Sequence, residues 1–291
     1  MNDIQAAYSD PNFNFQALPI EKSLNLALGC KWLIIEDGTI LIGTPGKKII
    51  QALDDVNGEI NAGRVQLLEY IKTERPYWVE TLKNGRSRSM TYLPDNIVDI
   101  FSQLELYSPS STIDDEDTIL WWDRIVQSIY DSQNRKNAFI GRLGERLTYK
   151  YEYERTGRYP VWVALEDNKA GYDILSLQSR QDERLLCIEV KTTTSPYPYF
   201  FLTKNEWVVS ESKGNDEYLI YFWDISNRDE VILTIYDSKI LINHVPKDVG
   251  VGEWVNSKYQ ISKLPSSSFK DRHEFNDLSE IIFKYLSMVN E

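Results

Sequence analysis

Histidine and cysteine are scarce in this sequence, and that scarcity is the first limit on its chemistry. It has two histidines, His244 and His273, and two cysteines, Cys30 and Cys187. The cysteines lie far apart and fit neither a Cys-x-x-Cys pair nor a disulfide framework, so both read as buried, reduced thiols. A His-rich metal centre or a His-based nuclease motif is poorly supplied. Long apolar runs are missing too. Stretches such as Trp32 to Ile35 and Val231 to Tyr236 fall far short of the roughly 20 residues a membrane-crossing helix needs. Residues Met1 to Phe15 are rich in Asp, Asn, Ser and Gln and lack the basic start and apolar stretch of a secretory signal; a cytoplasmic home without a membrane partner is the expectation. Positive charge is in deficit, with 32 Lys and Arg against 44 Asp and Glu, a net charge of −12. That balance opposes tight nucleic-acid binding by the chain acting alone, because phosphate neutralisation dominates such affinity. A carboxylate metal site would account for some of the excess acid, and local basic patches matter more than the sum.

What is present is an ordinary globular composition, 42% hydrophobic and 12% aromatic over 291 residues, enough for two cores. The expected division is a helical, winged-helix-like region over 1–113 and an α/β domain over 114–291, with its core at about 119–240. In the front half, a short helix at Ser23 to Leu28 precedes two apolar runs around the turn Glu36-Asp37-Gly38-Thr39, which read as a β-hairpin. Thr44 is the expected cap of the next helix, with Pro45 at its first position. Helical stripes follow at Val65, Leu68 and Ile71 and at Ile97, Ile100, Phe101 and Leu104. Between them, Lys83, Arg86 and Arg88 form the densest basic loop of the front half, either a phosphate contact or a solvated run. Ser108 to Ser111 and the acids Asp114 to Asp117 read as a linker running into a helix start. Trp121, Trp122, Ile125, Val126 and Ile129 give that helix a broad apolar face, expected to pack on the next domain. Gly43 to Lys48 lacks the glycine and hydroxyl of a phosphate loop, so ATP binding is not supported.

From Asn137 to about Glu154, Ile140, Leu143, Leu147 and Tyr151 repeat on one helical stripe, and Glu145 lies off it. Gly141 and Gly144 each weaken a helix by about 1 kcal/mol relative to Ala, so a close neighbour is expected there. Val161 to Leu165, Tyr172 to Leu177 and Arg184 to Lys191 read as strands, the last two paired as an antiparallel hairpin across the polar turn Gln178 to Glu183. Alternation puts Cys187, Glu189 and Lys191 on one face, with Asp173 opposite. Two readings fit. One is a buried Glu189–Lys191 ion pair with Asp173 as a turn acid. In the other, the acids hold a hard divalent ion for phosphodiester hydrolysis while the lysine orients the attacking water or offsets developing negative charge. Thr203-Lys204-Asn205-Glu206 fits a capping box. Thr192 to Thr194 with Tyr197, Tyr199 and Phe200 suit either a nucleic-acid groove or strand packing. Strands at Tyr218 to Trp223 and Val231 to Tyr236 and a closing helix at Leu278 to Met288 complete the pattern.

The blocks Gly141-Arg142-Leu143-Gly144-Glu145, Gly171-Tyr172-Asp173-Ile174, Ile188-Glu189-Val190-Lys191-Thr192 and Thr203 to Trp207, in that order, resemble the NO VEIN C-terminal domain family over about residues 119–240. That family is similar to the PD-(D/E)XK nucleases of restriction-endonuclease-like fold. The resemblance implies a mixed sheet flanked by helices and Mg²⁺-dependent (endo)nuclease activity on nucleic acid, more DNA than RNA, with Mn²⁺ able to substitute. It implies Glu145 as the helical acid, Asp173 and Glu189 as metal ligands with the Val190 carbonyl, and Lys191 as the water-positioning lysine. Many prokaryotic members look like parts of anti-phage defence or restriction systems. The acidic balance and the lack of an ATPase motif make dependence on a partner such as an ATPase or helicase the expectation, and an oligomer is compatible with it. A non-cleaving interaction or sensor module on the same fold is the alternative. Arg142 and Arg146, flanking Glu145, are phosphate candidates alongside Lys83, Arg86 and Arg88.

Overall fold

The structure is a computed structural model describing residues 20–108, 116–130, 132–214, 216–227, 230–241, 245–248, 253–264, 269–275 and Leu278. The expected linker and acidic run, apart from Ser108, Glu116 and Asp117, lie outside the described residues, as do Met1 to Phe15 and all but Leu278 of the closing helix. The chain forms two compact units, and they interleave instead of meeting at residue 113. Of the described residues, one unit takes those within 1–81, 93–109 and 115–129, and the other those within 82–92 and 130–291.

The first unit is helical. It contains α1 (Ile20–Gly29), the hairpin β1 (Leu33–Glu36) and β2 (Thr39–Ile42), α2 (Thr44–Leu53) and α3 (Gly58–Glu74), followed later in the chain by α5 (Asp95–Gln103) and α6 (Glu116–Ile129). Asp37 and Gly38 both take positive φ, 49° and 77°, the conformation a two-residue hairpin loop requires. The cap of α2 is Gly43, one residue before the expected Thr44, and Thr44 is already helical. The α6 tryptophans do not wait for another domain. Trp121 packs edge-on against Phe101 and Trp122, and its indole donates to the Arg64 carbonyl at 2.8 Å; the Trp122 indole donates to the Leu106 carbonyl at 2.8 Å. Large amphipathic rings need both apolar surroundings and a hydrogen-bond acceptor, and both are supplied within this unit.

The second unit is built on α7 (Ser132–Thr156) and a six-stranded mixed sheet ordered β10-β8-β7-β5-β4-β3. Its strands are β3 (Val161–Trp162), β4 (Ile174–Leu177), β5 (Leu185–Thr193), β7 (Tyr218–Asn227), β8 (Glu230–Asp237) and β10 (Phe269–Phe275). β4 and β5 are the expected antiparallel hairpin, and β5 runs parallel to β7. The crossover between β5 and β7 carries β6 (Tyr199–Thr203) and α9 (Lys204–Glu211), and β6 pairs with β9 (Asn256–Gln260). The strand expected over 161–165 is shorter. After Trp162 the chain turns into a single helical turn, α8 (Val163–Glu166), closed by the Asp167 N–H on the Val163 carbonyl at 2.9 Å. Ala164, Leu165 and Glu166 are good helix formers.

Sheet alternation divides the packing. Cys187, Tyr218, Ile220 and Phe222 face a core with Phe200 and Leu202 of β6, Trp207 of α9 and Tyr259 of β9. On the other face, α7 closes on Val190 and Thr192 through Gly144, where an added Cβ would lie 1.8 Å from Thr192 Oγ1 and 3.2 Å from Val190 Cγ1. Gly141, expected to share this role, has nothing within 4 Å of such a Cβ. Opposite signs follow. Gly144→Ala is expected to destabilise by about 1–3 kcal/mol through overpacking, whereas Gly141→Ala stabilises by about 0.5–1 kcal/mol through helix propensity. Urea midpoints of both variants, and of Gly144→Ala with Thr192→Ala as the relieving change, check this.

The short helix α4 (Arg86–Met90) belongs to the second unit and corrects the basic-loop expectation. Arg86 is buried and paired with Glu166, Ser87 donates to the same carboxylate, and Arg88 pairs with Asp167 at 3.0 Å. The Lys83 ammonium lies 5.1 Å from the centre of the Tyr130 ring. These cations hold the segment onto α8 and its neighbourhood and do not form a phosphate-facing loop. A local basic run says nothing about acids about 80 residues away that neutralise it.

Candidate functional site

β5 supplies the centre of the site. The register pairs Ile174 with Ile188, so Asp173, one residue before β4, stands opposite Glu189. The Asp173 N–H donates to the Ile188 carbonyl at 2.9 Å, and Asp173 Oδ2 accepts the Val190 N–H at 2.8 Å. In a strand the N–H and C=O of one residue leave toward the same edge. The Val190 carbonyl therefore faces the edge where β4 has ended and the Asp173 carboxylate sits.

Lys191, on the same face as Glu189, donates to Glu189 Oε1 at 2.6 Å and to Glu206 Oε2 at 2.9 Å. Glu206 also completes the expected capping box: it accepts the Thr203 N–H at 2.9 Å, while the Thr203 hydroxyl accepts the Glu206 N–H at 3.2 Å. Sequence reasoning gave Glu206 the cap alone and missed its second role. The signal was present, since a capping box fixes a glutamate at the N-terminal end of a helix that directly follows the β5 and β6 crossover.

Glu145 has side-chain partners of its own, and its charge is felt at Asp173. Its Oε2 accepts the Trp162 indole N–H at 2.6 Å and Arg142 at 2.5 Å. Arg142 and Arg146 both lie over the Trp162 ring, at 5.3 and 5.8 Å from its centre, and Arg146 is buried. These arginines support Glu145 before they could serve a phosphate. Phe200 is likewise core and not groove, whereas Tyr197 and Tyr199 are exposed.

The electrostatics show excess negative charge. Burial, reinforced by the charge of Glu145, pushes Asp173 up to about 8, against the pull of Lys191 and the Val190 N–H. Burial and then the charges of Asp173 and Glu206 raise Glu189 well above the carboxylate range. Burial opposes the Lys191 charge, but Glu189, Glu206 and Asp173 outweigh it and hold the ammonium protonated beyond the usual lysine range. Burial also opposes ionised Glu206, yet Lys191 and the Thr203 N–H bring it below its ordinary value. A carboxyl raised on folding binds more protons folded than unfolded, so its contribution to stability is complete below the unfolded value of 3.8 and is lost as pH rises through about 8. The metal-free chain is therefore expected to melt several degrees lower at about pH 8 than at about pH 5. Differential scanning calorimetry in EDTA checks this; a melting temperature that rises over that window would contradict it.

Among the described residues, no group of three or more His, Cys, Asp and Glu side chains could hold a metal ion. Mg²⁺ needs less than such a cage, since it keeps several waters and takes one or two carboxylates. Asp173, Glu189 and the Val190 carbonyl are hard oxygen donors of that number. Two acids raised by burial and by neighbouring negative charge are a setting that a divalent cation relieves.

No curated protein and no solved structure matches the chain. Residues 144–235, which carry Glu145, Asp173, Glu189, Lys191 and Glu206, match the family model described as Protein NO VEIN, C-terminal.

Proposed function

We propose that the second unit is a PD-(D/E)XK-type nuclease that hydrolyses nucleic-acid phosphodiesters, DNA before RNA, with Mg²⁺ or Mn²⁺. The observation that carries this reading is Asp173 facing Glu189 across the β4–β5 register, with the Lys191 ammonium 2.6 Å from Glu189. Asp173, Glu189 and the Val190 carbonyl would hold the ion, which when bound acidifies water and offsets charge on the phosphoryl oxygens. Lys191, held from two sides by Glu189 and Glu206, presents a fixed positive charge that can orient the attacking water or stabilise the developing oxyanion. Glu145, fixed by Trp162 and Arg142, adds negative potential at Asp173 and so favours a cation there. The net charge of −12 supports loading onto the substrate by a partner such as an ATPase or helicase; a cytoplasmic setting in an anti-phage defence or restriction system is part of the same proposal. The same charge, with Lys191 clamped between two carboxylates, favours the second reading, a non-cleaving interaction or sensor module on this fold.

Incubation of the full chain with supercoiled plasmid and with single strands in Mg²⁺, Mn²⁺ or EDTA separates them. Metal-dependent cleavage supports the nuclease, and cleavage that persists in EDTA rules out the metal site.

A further inference from the structure

β6 presents two unlike faces. Phe200 and Leu202 turn into the core, whereas Tyr199 and Phe201 turn outward, 38% and 47% exposed, with Tyr197 77% exposed just before them. The Tyr199 and Phe201 rings meet edge to face with centres 5.7 Å apart. Lys258 of β9, the register partner of Phe201, places its ammonium 3.6 Å from the centre of the Tyr199 ring and 6.0 Å from that of Phe201. The solvent face of an antiparallel pair is ordinarily polar. Here it carries two aromatic rings and a cation. The strand then ends at Thr203, whose amide is held by Glu206, the residue that also holds Lys191. At about 3.3 Å per residue, the two rings lie about 7 to 13 Å along β6 from Thr203.

We propose that Tyr199, Phe201 and Lys258 form a stacking platform for the bases of single-stranded nucleic acid running to the Asp173, Glu189 and Lys191 site; its ligand class rests on the nuclease reading. Exposed rings stack on any base, and the ammonium neutralises a phosphate. Duplex bases are already stacked on one another and offer no free face, so the platform selects single strands. The cation distinguishes this surface from a purely apolar protein-docking face, which would have no use for an exposed ammonium held over its rings.

The test measures binding of the full chain to a fluorescently labelled oligothymidylate and to its duplex with oligoadenylate, by anisotropy in EDTA so that cleavage plays no part. The single strand is expected to bind more tightly than the duplex. The double variant Tyr199→Ala/Phe201→Ala is expected to weaken single-strand binding about 10-fold or more, with unchanged melting temperature. Tyr199→Trp/Phe201→Trp retains affinity, and Lys258→Ala lowers the slope of log affinity against log salt by about 0.7. Double-Ala affinity within about twofold of wild type, no preference for the single strand, or no binding of either form by wild type would each overturn the platform; the last would direct attention to a protein partner. The nuclease reading fails separately. A platform-dependent affinity without cleavage in any metal sinks the nuclease alone, and Asp173-dependent cleavage with unaltered double-Ala binding sinks the platform alone.

Discussion

Asp173→Asn is expected to melt several degrees higher than wild type in EDTA at about pH 8, and to lose about 100-fold or more of metal-dependent cleavage. The two effects share one cause. Asn can still accept the Val190 N–H that Asp173 accepts at 2.8 Å, so the hydrogen bond survives the substitution. What disappears is a carboxyl that burial and Glu145 push up to about 8, together with its repulsion of Glu189. Function and stability are opposed at such a position because a carboxylate that costs stability when ionised is the group the proposed site would use to hold a cation. Lys191→Ala is expected to lose comparable activity but to destabilise, since it strands Glu189 and Glu206 without their shared counter-ion. Plasmid and single-strand cleavage rates, read beside thermal melts, separate the variants. An Asp173→Asn chain that cleaves at the wild-type rate, or melts no higher than wild type, would remove Asp173 from the site.

Arg155→Met is expected to destabilise the second unit by about 3–5 kcal/mol. Glu152 of α7 is completely buried, and Arg155 reaches both of its carboxylate oxygens, at 2.6 and 2.8 Å. The Tyr221 hydroxyl of β7 donates to Glu152 Oε1 at 2.9 Å, and Arg155 also donates to the Leu177 and Gln178 carbonyls at the end of β4. Removing the arginine leaves a buried carboxylate without its cation and uncaps a strand end. Combining it with Glu152→Gln removes the orphaned charge and keeps an acceptor for Tyr221, so the double variant is expected to recover a large part of the loss. Chemical-denaturation midpoints of the four species form the test. A single-variant loss below about 1 kcal/mol would mean that this network does not anchor α7 to the sheet.

Parts of this molecule were legible from short stretches. The alternation of Leu186, Ile188 and Val190 with Cys187, Glu189 and Lys191, closed by the polar turn at Gln178 to Glu183, specified β5, its hairpin partner and the placement of Asp173 opposite Glu189. A one-residue slip would have turned every one of those side chains to the other face. Gly144 was legible as a point of close approach because a helix-interior glycine is otherwise a loss. Gly141 was not distinguishable from it, since only the position of β5 relative to α7 decides which of the two is crowded.

Other features had no local signature. Nothing near Arg86 or Arg88 announces Glu166 and Asp167, and nothing near Trp121 and Trp122 announces Phe101 and the Arg64 and Leu106 carbonyls that keep them in the first unit. Glu206 could be read as a cap but not as the second carboxylate on Lys191, and Glu145 could be read as a helical acid but not as a partner of Trp162.

The sequence by itself determined periodicity, turns, caps and the residue types available for chemistry, because those depend on neighbours within a few positions along the backbone. Which charges meet and which rings stay exposed was decided only by the tertiary structure. Those contacts form when segments tens of residues apart pack, and burial then sets whether a given acid is neutralised, paired or left with its charge uncompensated.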